Sequence, residues 1–88
     1  MTLRIERAFK EERTLLRLIG RIGSEHLGEL RAQMDSSGPK VIIDLEEINL
    51  VDVESVRFLV LCEREGVVIS NASPYIREWM SREGGKRA

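Results

Sequence analysis

The sequence predicts an α/β domain with a four-stranded mixed sheet and three helices, in the order β-β-α-β-α-β-α. Two observations lead to this fold class. Near the N-terminus, apolar residues alternate with charged ones over two consecutive segments, which is typical of the half-buried strands of a hairpin. Farther along, short continuous apolar runs alternate with segments of helical periodicity, which is typical of parallel strands joined by crossover helices.

The N-terminal hairpin is predicted from strands over Leu3–Phe9 and Leu15–Ile22, joined by the polar turn Lys10–Arg13. Ser24 is the expected cap of the first helix, because a serine hydroxyl can accept a hydrogen bond from the first helical turn. The helix is expected to end at Gly38-Pro39, since these two residues do not continue a helix.

The parallel part of the sheet is predicted to begin with Val41–Leu45, an apolar run typical of a strand buried on both faces. A polar loop over Glu46–Val51 follows. Asp52 is the expected cap of the second helix, which runs to Glu65 and stops at Gly66, a residue suited to the left-handed position after a helix.

The C-terminal part is predicted to contain a strand over Val67–Ile69 and a third helix. Ser73 and Pro74 occupy the cap and the first turn of that helix, positions these residue types favour. Residues 84–88 are expected to form a frayed tail. The whole chain, residues 1–88, is expected to be a single domain.

Composition excludes several classes of function. Fourteen basic and 15 acidic residues give a net charge of −1, whereas nucleic-acid binders usually carry a basic stripe. No apolar stretch has the length needed to span a membrane, and the charged N-terminus differs from a signal peptide. Cys62 is the only cysteine, so an internal disulfide or a thiolate metal cluster is impossible. We therefore expect a cytoplasmic protein that binds neither nucleic acid nor membrane.

The residue types needed for catalysis are present but are not combined into a site. His26, the only histidine, is expected to be exposed, and Cys62 lies in an apolar run typical of the core. Asp44 and Asp52 are candidates to meet near the carboxyl ends of the strands, but two carboxylates without a third ligand make a poor metal site. The sequence therefore predicts no catalytic residue, no metal and no cofactor.

Two segments resemble the STAS domain, named for sulfate transporters and anti-sigma factor antagonists. Residues 41–45 (VIIDL) form an apolar strand ending in Asp-Leu, and residues 50–56 (LVDVESV) contain an aliphatic-Asp step that enters a helix. Gly20 matches the glycine of the family's second strand. The resemblance covers nearly the whole chain. It implies a bacterial regulatory module that binds a protein, such as an anti-sigma factor or a kinase-like regulator.

The resemblance fails at the residue that bacterial antagonists use as a switch. Their helix opens with Asp-Ser-Ser-Gly-aliphatic, and a partner kinase phosphorylates the second serine. Asp52 and Val56 match this motif, but Val53, Glu54 and Ser55 replace its two serines and its glycine. The implied module therefore lacks the usual phosphoswitch. Glu54 either stabilises the helix dipole or places a permanent negative charge where relatives acquire one.

The second helix supplies the predicted partner surface. Leu59 belongs to its core face, whereas Phe58 and Leu61 lie roughly on the opposite side, in line with Glu54. The alternative is that Tyr75 or Trp79 of the last helix covers this strip, and the interaction surface then lies in the Glu46–Val51 loop. The predicted partner-binding residues are Asp52, Glu54, Ser55, Phe58 and Leu61.

Two other functions and two assembly states remain open from the sequence. A small-ligand or lipid-sensing domain would use a pocket beside the parallel strands, and a structural subunit would belong to a larger regulatory assembly. The chain is expected to be either a monomer or a weak homo-oligomer.

Overall fold

A computed structural model of the chain describes residues 3–38 and 40–85 and contains the predicted elements in the predicted order. The strands are β1 (Leu3–Lys10), β2 (Arg13–Ile22), β3 (Val41–Val51) and β4 (Val68–Ser70). The helices are α1 (Leu27–Asp35), α2 (Val53–Arg64) and α3 (Pro74–Gly85), and a 3-10 turn over Ser24–His26 precedes α1.

The sheet has the strand order β1-β2-β3-β4, with an antiparallel first pair and two parallel pairs. Because strand order follows chain order, right-handed crossovers place α1 and α2 on the same face of the sheet, which we call the helix face. The core lies between this face and the helices, and α3 packs against α2. Its fully buried large side chains are those of Leu16, Leu18, Ile22, Leu30, Ile43, Leu45, Val56, Leu59 and Cys62.

The predicted loop over Glu46–Val51 is wrong, because these residues continue β3 to Val51. They pair with the second half of β2, and Ile22 lies opposite Val51. Two register shifts in this pairing interrupt the regular alternation of buried and exposed residues, as bulges do. The sequence of this half of β3 therefore resembles a polar loop, although its backbone belongs to the sheet.

The start of the first helix also differs from its prediction. Gly23, rather than Ser24, precedes the 3-10 turn, and the backbone N–H of Gly23 donates to Nδ1 of His26 at 3.0 Å. His26 is half-buried rather than exposed, because its ring folds back to accept this bond. The helix ends at Asp35, before Gly38, and Pro39 lies outside the described residues.

The other predicted helix ends are confirmed. Asp52 caps α2, and Gly66 adopts a left-handed φ of 99° just after it. The hydroxyl of Ser73 accepts the backbone N–H of Ile76 at 3.2 Å, as a helix cap does.

The last strand and the tail need small corrections. The strand predicted over residues 67–69 is observed over Val68–Ser70. Gly84 and Gly85 belong to α3 rather than to a frayed tail, and the carbonyl of Gly84 accepts a hydrogen bond from Arg64 at 3.1 Å. Residues 86–88 of the predicted tail lie outside the described residues.

Candidate protein-binding site on α2

Asp52 joins the start of α2 to the segment that follows β2. Its backbone is extended, with φ −108° and ψ 175°. One carboxylate oxygen, Oδ1, accepts the backbone N–H of Ser55 at 2.9 Å, and Oδ2 accepts the backbone N–H of Ser24 at 3.0 Å. A single carboxylate therefore fixes two chain segments that lie 28 residues apart.

The charge of Asp52 is stabilised by these contacts. Hydrogen bonding by Ser55 lowers the pKa of Asp52, and the Ser24 N–H and the charge of Arg21 act in the same direction. Because hydrogen bonds to the charged form favour it, Asp52 is a fixed negative charge at neutral pH.

Ser55 is part of the core rather than of the surface. Its side chain is fully buried, and its hydroxyl lies 3.1 Å from the carbonyl oxygen of Ile22, to which it donates. Sequence spacing already contains this signal, since Ser55, Leu59 and Cys62 follow one another at i, i+4 and i+7. Ser55 therefore lies outside the surface formed by the other predicted partner-binding residues.

Glu54 lies on the surface in the first turn of α2. Its side chain is 60% exposed, and its carboxylate is 3.7 Å from the guanidinium of Arg57. Arg57 is shared, because its Nε donates to Glu83 of α3 at 3.0 Å. An exposed ion pair of this kind is weak because water screens it, so the Glu54 carboxylate is readily available to another molecule.

Phe58 and Leu61 occupy different environments. Leu61 is 51% exposed, as the predicted strip requires. Phe58 is half-buried and packs against the core, and the guanidinium of Arg31, from α1, lies 5.5 Å from its ring centre. Arg31 also donates to Glu65, which follows the last residue of α2, at 3.2 Å. Phe58 was predicted to lie roughly opposite the core face, but it is half-buried because its ring lies on the flank of α2 that faces α1.

The last helix does not cover Leu61. It contacts the other flank of α2, through pairs such as Arg57 with Glu83, described above, and Arg77 with Glu63 at 2.7 Å. Tyr75 and Trp79 lie close to each other, with ring centres 5.7 Å apart. The alternative in which these aromatic rings hide the strip is therefore not observed.

Leu50 is a further exposed apolar side chain, but it lies on the face of the sheet away from the helices, because its neighbour Val51 is buried with Ile22 on the helix face. It is 54% exposed, lies two residues before Asp52, and is paired with Arg21 in the sheet. Sequence reasoning named its segment only as a second choice, because that segment was predicted to be a loop. We use the term α2 surface for Asp52, Glu54, Phe58 and Leu61.

Comparisons with known proteins support the fold. No protein-family model and no curated protein matches the chain. Among solved structures, the anti-sigma factor antagonist SpoIIAA in its unphosphorylated form matches with a TM-score of 0.70 and 21% sequence identity, covering 94% of this chain and 81% of that one. The chain has the STAS fold. The predicted fold class is thereby confirmed, and at this identity the likeness concerns the fold alone.

In this STAS fold, the residues considered for metal binding or catalysis lie apart from one another. Asp44 bonds to the backbone of Glu46 and to Asn71, and it shares no bonding partner with Asp52. Asp44 lies within β3 and Asp52 follows the end of that strand, eight residues later, which corresponds to about 25 Å of extended chain. Cys62 is buried, which raises the pKa of its thiol to about 11. Within residues 3–38 and 40–85, no group of three potential metal ligands occurs.

The alternative function, the sensing of a small ligand or lipid, would require a suitable pocket. A groove of about 470 Å³ lies between α2 and α3. Its two arginines are already bonded within the protein, Arg64 to the carbonyl of Gly84 and Arg77 to Glu63. Polar groups thus do not converge on the groove as they do in a specific ligand site.

Membrane insertion through a helix has no structural basis in the described part of the chain, where no helix combines the necessary length and apolar character.

Proposed function

We propose that this chain is a non-enzymatic, cytoplasmic regulatory module of the anti-sigma factor antagonist type, which binds a partner protein through the α2 surface. The observation that carries the proposal is the combination of the half-exposed Leu61 with the exposed carboxylate of Glu54, seven residues before it on the same side of α2. Apolar side chains next to charge are typical of protein-binding surfaces. The STAS fold supports an anti-sigma factor or a kinase-like regulator as the class of partner.

The module acts without the usual phosphoswitch. At the position that relatives phosphorylate, Glu54 supplies a permanent charge of −1 and two acceptor oxygens, compared with about −1.5 to −2 and three oxygens for a phosphoserine. The neighbouring hydroxyl of Ser55 is buried and bonded to Ile22. A kinase would have to open the start of α2 to reach it. Glu54 therefore imitates the modified state in part and does so permanently.

Site-specific photocrosslinking in the native host tests this proposal. A photoreactive amino acid is placed at Leu61, and the matched control is Val68, which is 46% exposed but lies on β4. We expect a protein to be crosslinked from position 61 and not from position 68. Crosslinking of that protein only from position 68, or of none from position 61, would overturn the proposed surface.

Phosphorylation is tested on the same material. Mass spectrometry of the protein from its host is expected to show unmodified Ser55. Substantial phosphate on Ser55 would contradict the proposed absence of the phosphoswitch.

A further inference from the structure

β1 is an edge strand whose outer side has no partner within the described chain. Its last residue, Lys10, is paired with Arg13 across a two-residue turn, Glu11-Glu12, in which both residues have positive φ. In such hairpins the closing pair is hydrogen-bonded, and the bonding direction then alternates along the strand. The backbones of Phe9 and Arg7 therefore point away from β2 and are open to another strand.

Phe9 is the most exposed large apolar side chain of the described residues, at 75%. It lies on the helix face, since it is paired with the buried Thr14. Beside it is a groove of about 430 Å³, lined by Arg7, Ala8, Phe9, Thr14, Ser36 and Ser37. The guanidinium of Arg7 is held at this groove by Ser37, by the hydroxyl of Ser36 and by the carbonyl of Gln33.

We propose that β1 pairs with β1 of a second copy of this chain, antiparallel, with Ala8 opposite Ala8 of the partner subunit. The resulting two-fold dimer has one continuous eight-stranded sheet. Each contact away from the central Ala8 pair occurs twice, as two-fold symmetry requires. This inference goes beyond the proposed function, because it concerns the edge of the sheet opposite β4, whereas α2 contacts β4 and α3. Both α2 surfaces remain free in the dimer.

The chemistry of β1 fits this register. Arg7 lies opposite Phe9 of the partner subunit on the helix face, so the guanidinium and the exposed ring form a cation–π pair. On the opposite face, Glu6 lies opposite Lys10 of the partner subunit. Lys10 forms no ion pair with any described residue, so the partner's carboxylate is its counter-charge. Opposite charges across strands stabilise the pairing.

Other antiparallel registers that pair five or more residues of β1 fit less well. A pairing centred on Glu6 or Arg7 places that charge opposite its own copy, which is unfavourable. One centred on Ile5 matches Arg4 with Glu6 of the partner subunit but leaves Phe9 exposed. Shifts by one residue place the helix face of one copy beside the opposite face of the other. Charges on edge strands usually prevent pairing, but in the register centred on Ala8 they favour it.

Sedimentation velocity across a range of protein concentrations tests the dimer. The wild-type chain is expected to shift from monomer to dimer as the concentration rises. Phe9→Ser is expected to weaken dimerisation at least tenfold without lowering the melting temperature of the monomer, because Phe9 contributes little to the fold. The matched control is Tyr75→Ser, which removes another exposed aromatic ring, outside β1, and should leave dimerisation unchanged.

Charge exchange tests the register. Glu6→Lys and Lys10→Glu are each expected to weaken the dimer, and the double variant should restore it, because the pair is then reversed between subunits. A wild-type chain that stays monomeric at the highest attainable concentration would overturn the proposal. So would a dimer that is insensitive to Phe9→Ser but is broken by Arg4→Glu, since that pattern identifies the register centred on Ile5.

Discussion

Removal of the Asp52 carboxylate is the perturbation whose cost is best defined by the structure. Asp52→Ala removes the cap of α2, which costs about 1 kcal/mol of the free energy of unfolding. It also removes the bond to the N–H of Ser24 at 3.0 Å, worth about another 1 kcal/mol. The sum of about 2 kcal/mol corresponds to a fall in melting temperature of roughly 10 °C for a domain of this size.

Thermal and urea unfolding measure this cost, with Asp52→Asn as the matched control. Asparagine is also a good helix cap but carries no charge. Asp52→Asn should therefore lower the free energy of unfolding less than Asp52→Ala does. The pKa of Asp52 is lower in the folded state than in the unfolded state, chiefly through hydrogen bonding by Ser55. The stabilisation by the charge is therefore complete well above about pH 4, the ordinary pKa of aspartate, and is lost as the pH falls through the folded-state value.

The two variants together test the role assigned to the Asp52 carboxylate. The stability gap between the wild type and Asp52→Asn should be largest near neutral pH and should close in acid. If Asp52→Ala costs less than about 0.5 kcal/mol, the low end for loss of a cap, or if the gap does not change with pH, the role assigned to this carboxylate is wrong.

Three further predictions concern stability and reactivity. Leu59→Ala should lower the free energy of unfolding by about 2–5 kcal/mol in urea titrations because Leu59 is fully buried. Phe58→Asp should lower it by less, since Phe58 is only half-buried. Equal losses for the two variants would place Phe58 in the core. Cys62 should resist a thiol reagent at neutral pH until the chain unfolds, because burial raises its pKa to about 11; rapid labelling of the native protein would contradict this. Gly28→Ala should raise stability by about 0.5–1 kcal/mol, since an added Cβ meets no atom within 4 Å; a loss would show an unrecognised constraint.

Local signals predicted both ends of α2 and the start of α3 because caps depend on a few neighbouring residues. Asp52, Gly66 and Ser73 each act within one helical turn, so their roles can be inferred from residue type and spacing. The length of β3 is different. Its second half is a strand only because β2 continues beside it through two register shifts, and no local pattern encodes a distant partner strand.

The candidate site likewise combines features that local sequence predicts with features that depend on distant parts of the chain. The exposure of Glu54 and Leu61 follows from helical periodicity. The half-burial of Phe58 depends on Arg31 of α1, whose position is set by the packing of two helices. The bond from Ser24 to Asp52 likewise joins segments that only the fold brings together.

The most direct test of the proposed function is the affinity of the crosslinked partner for two matched variants, Leu61→Asp and Val68→Asp. Both side chains are about half exposed and lie at different places on the domain. Leu61→Asp is expected to weaken binding at least tenfold, or by about 1.4 kcal/mol, with little change in melting temperature, whereas Val68→Asp should bind like the wild type. Unchanged affinity for Leu61→Asp together with lost affinity for Val68→Asp would contradict the assignment of partner binding to the α2 surface.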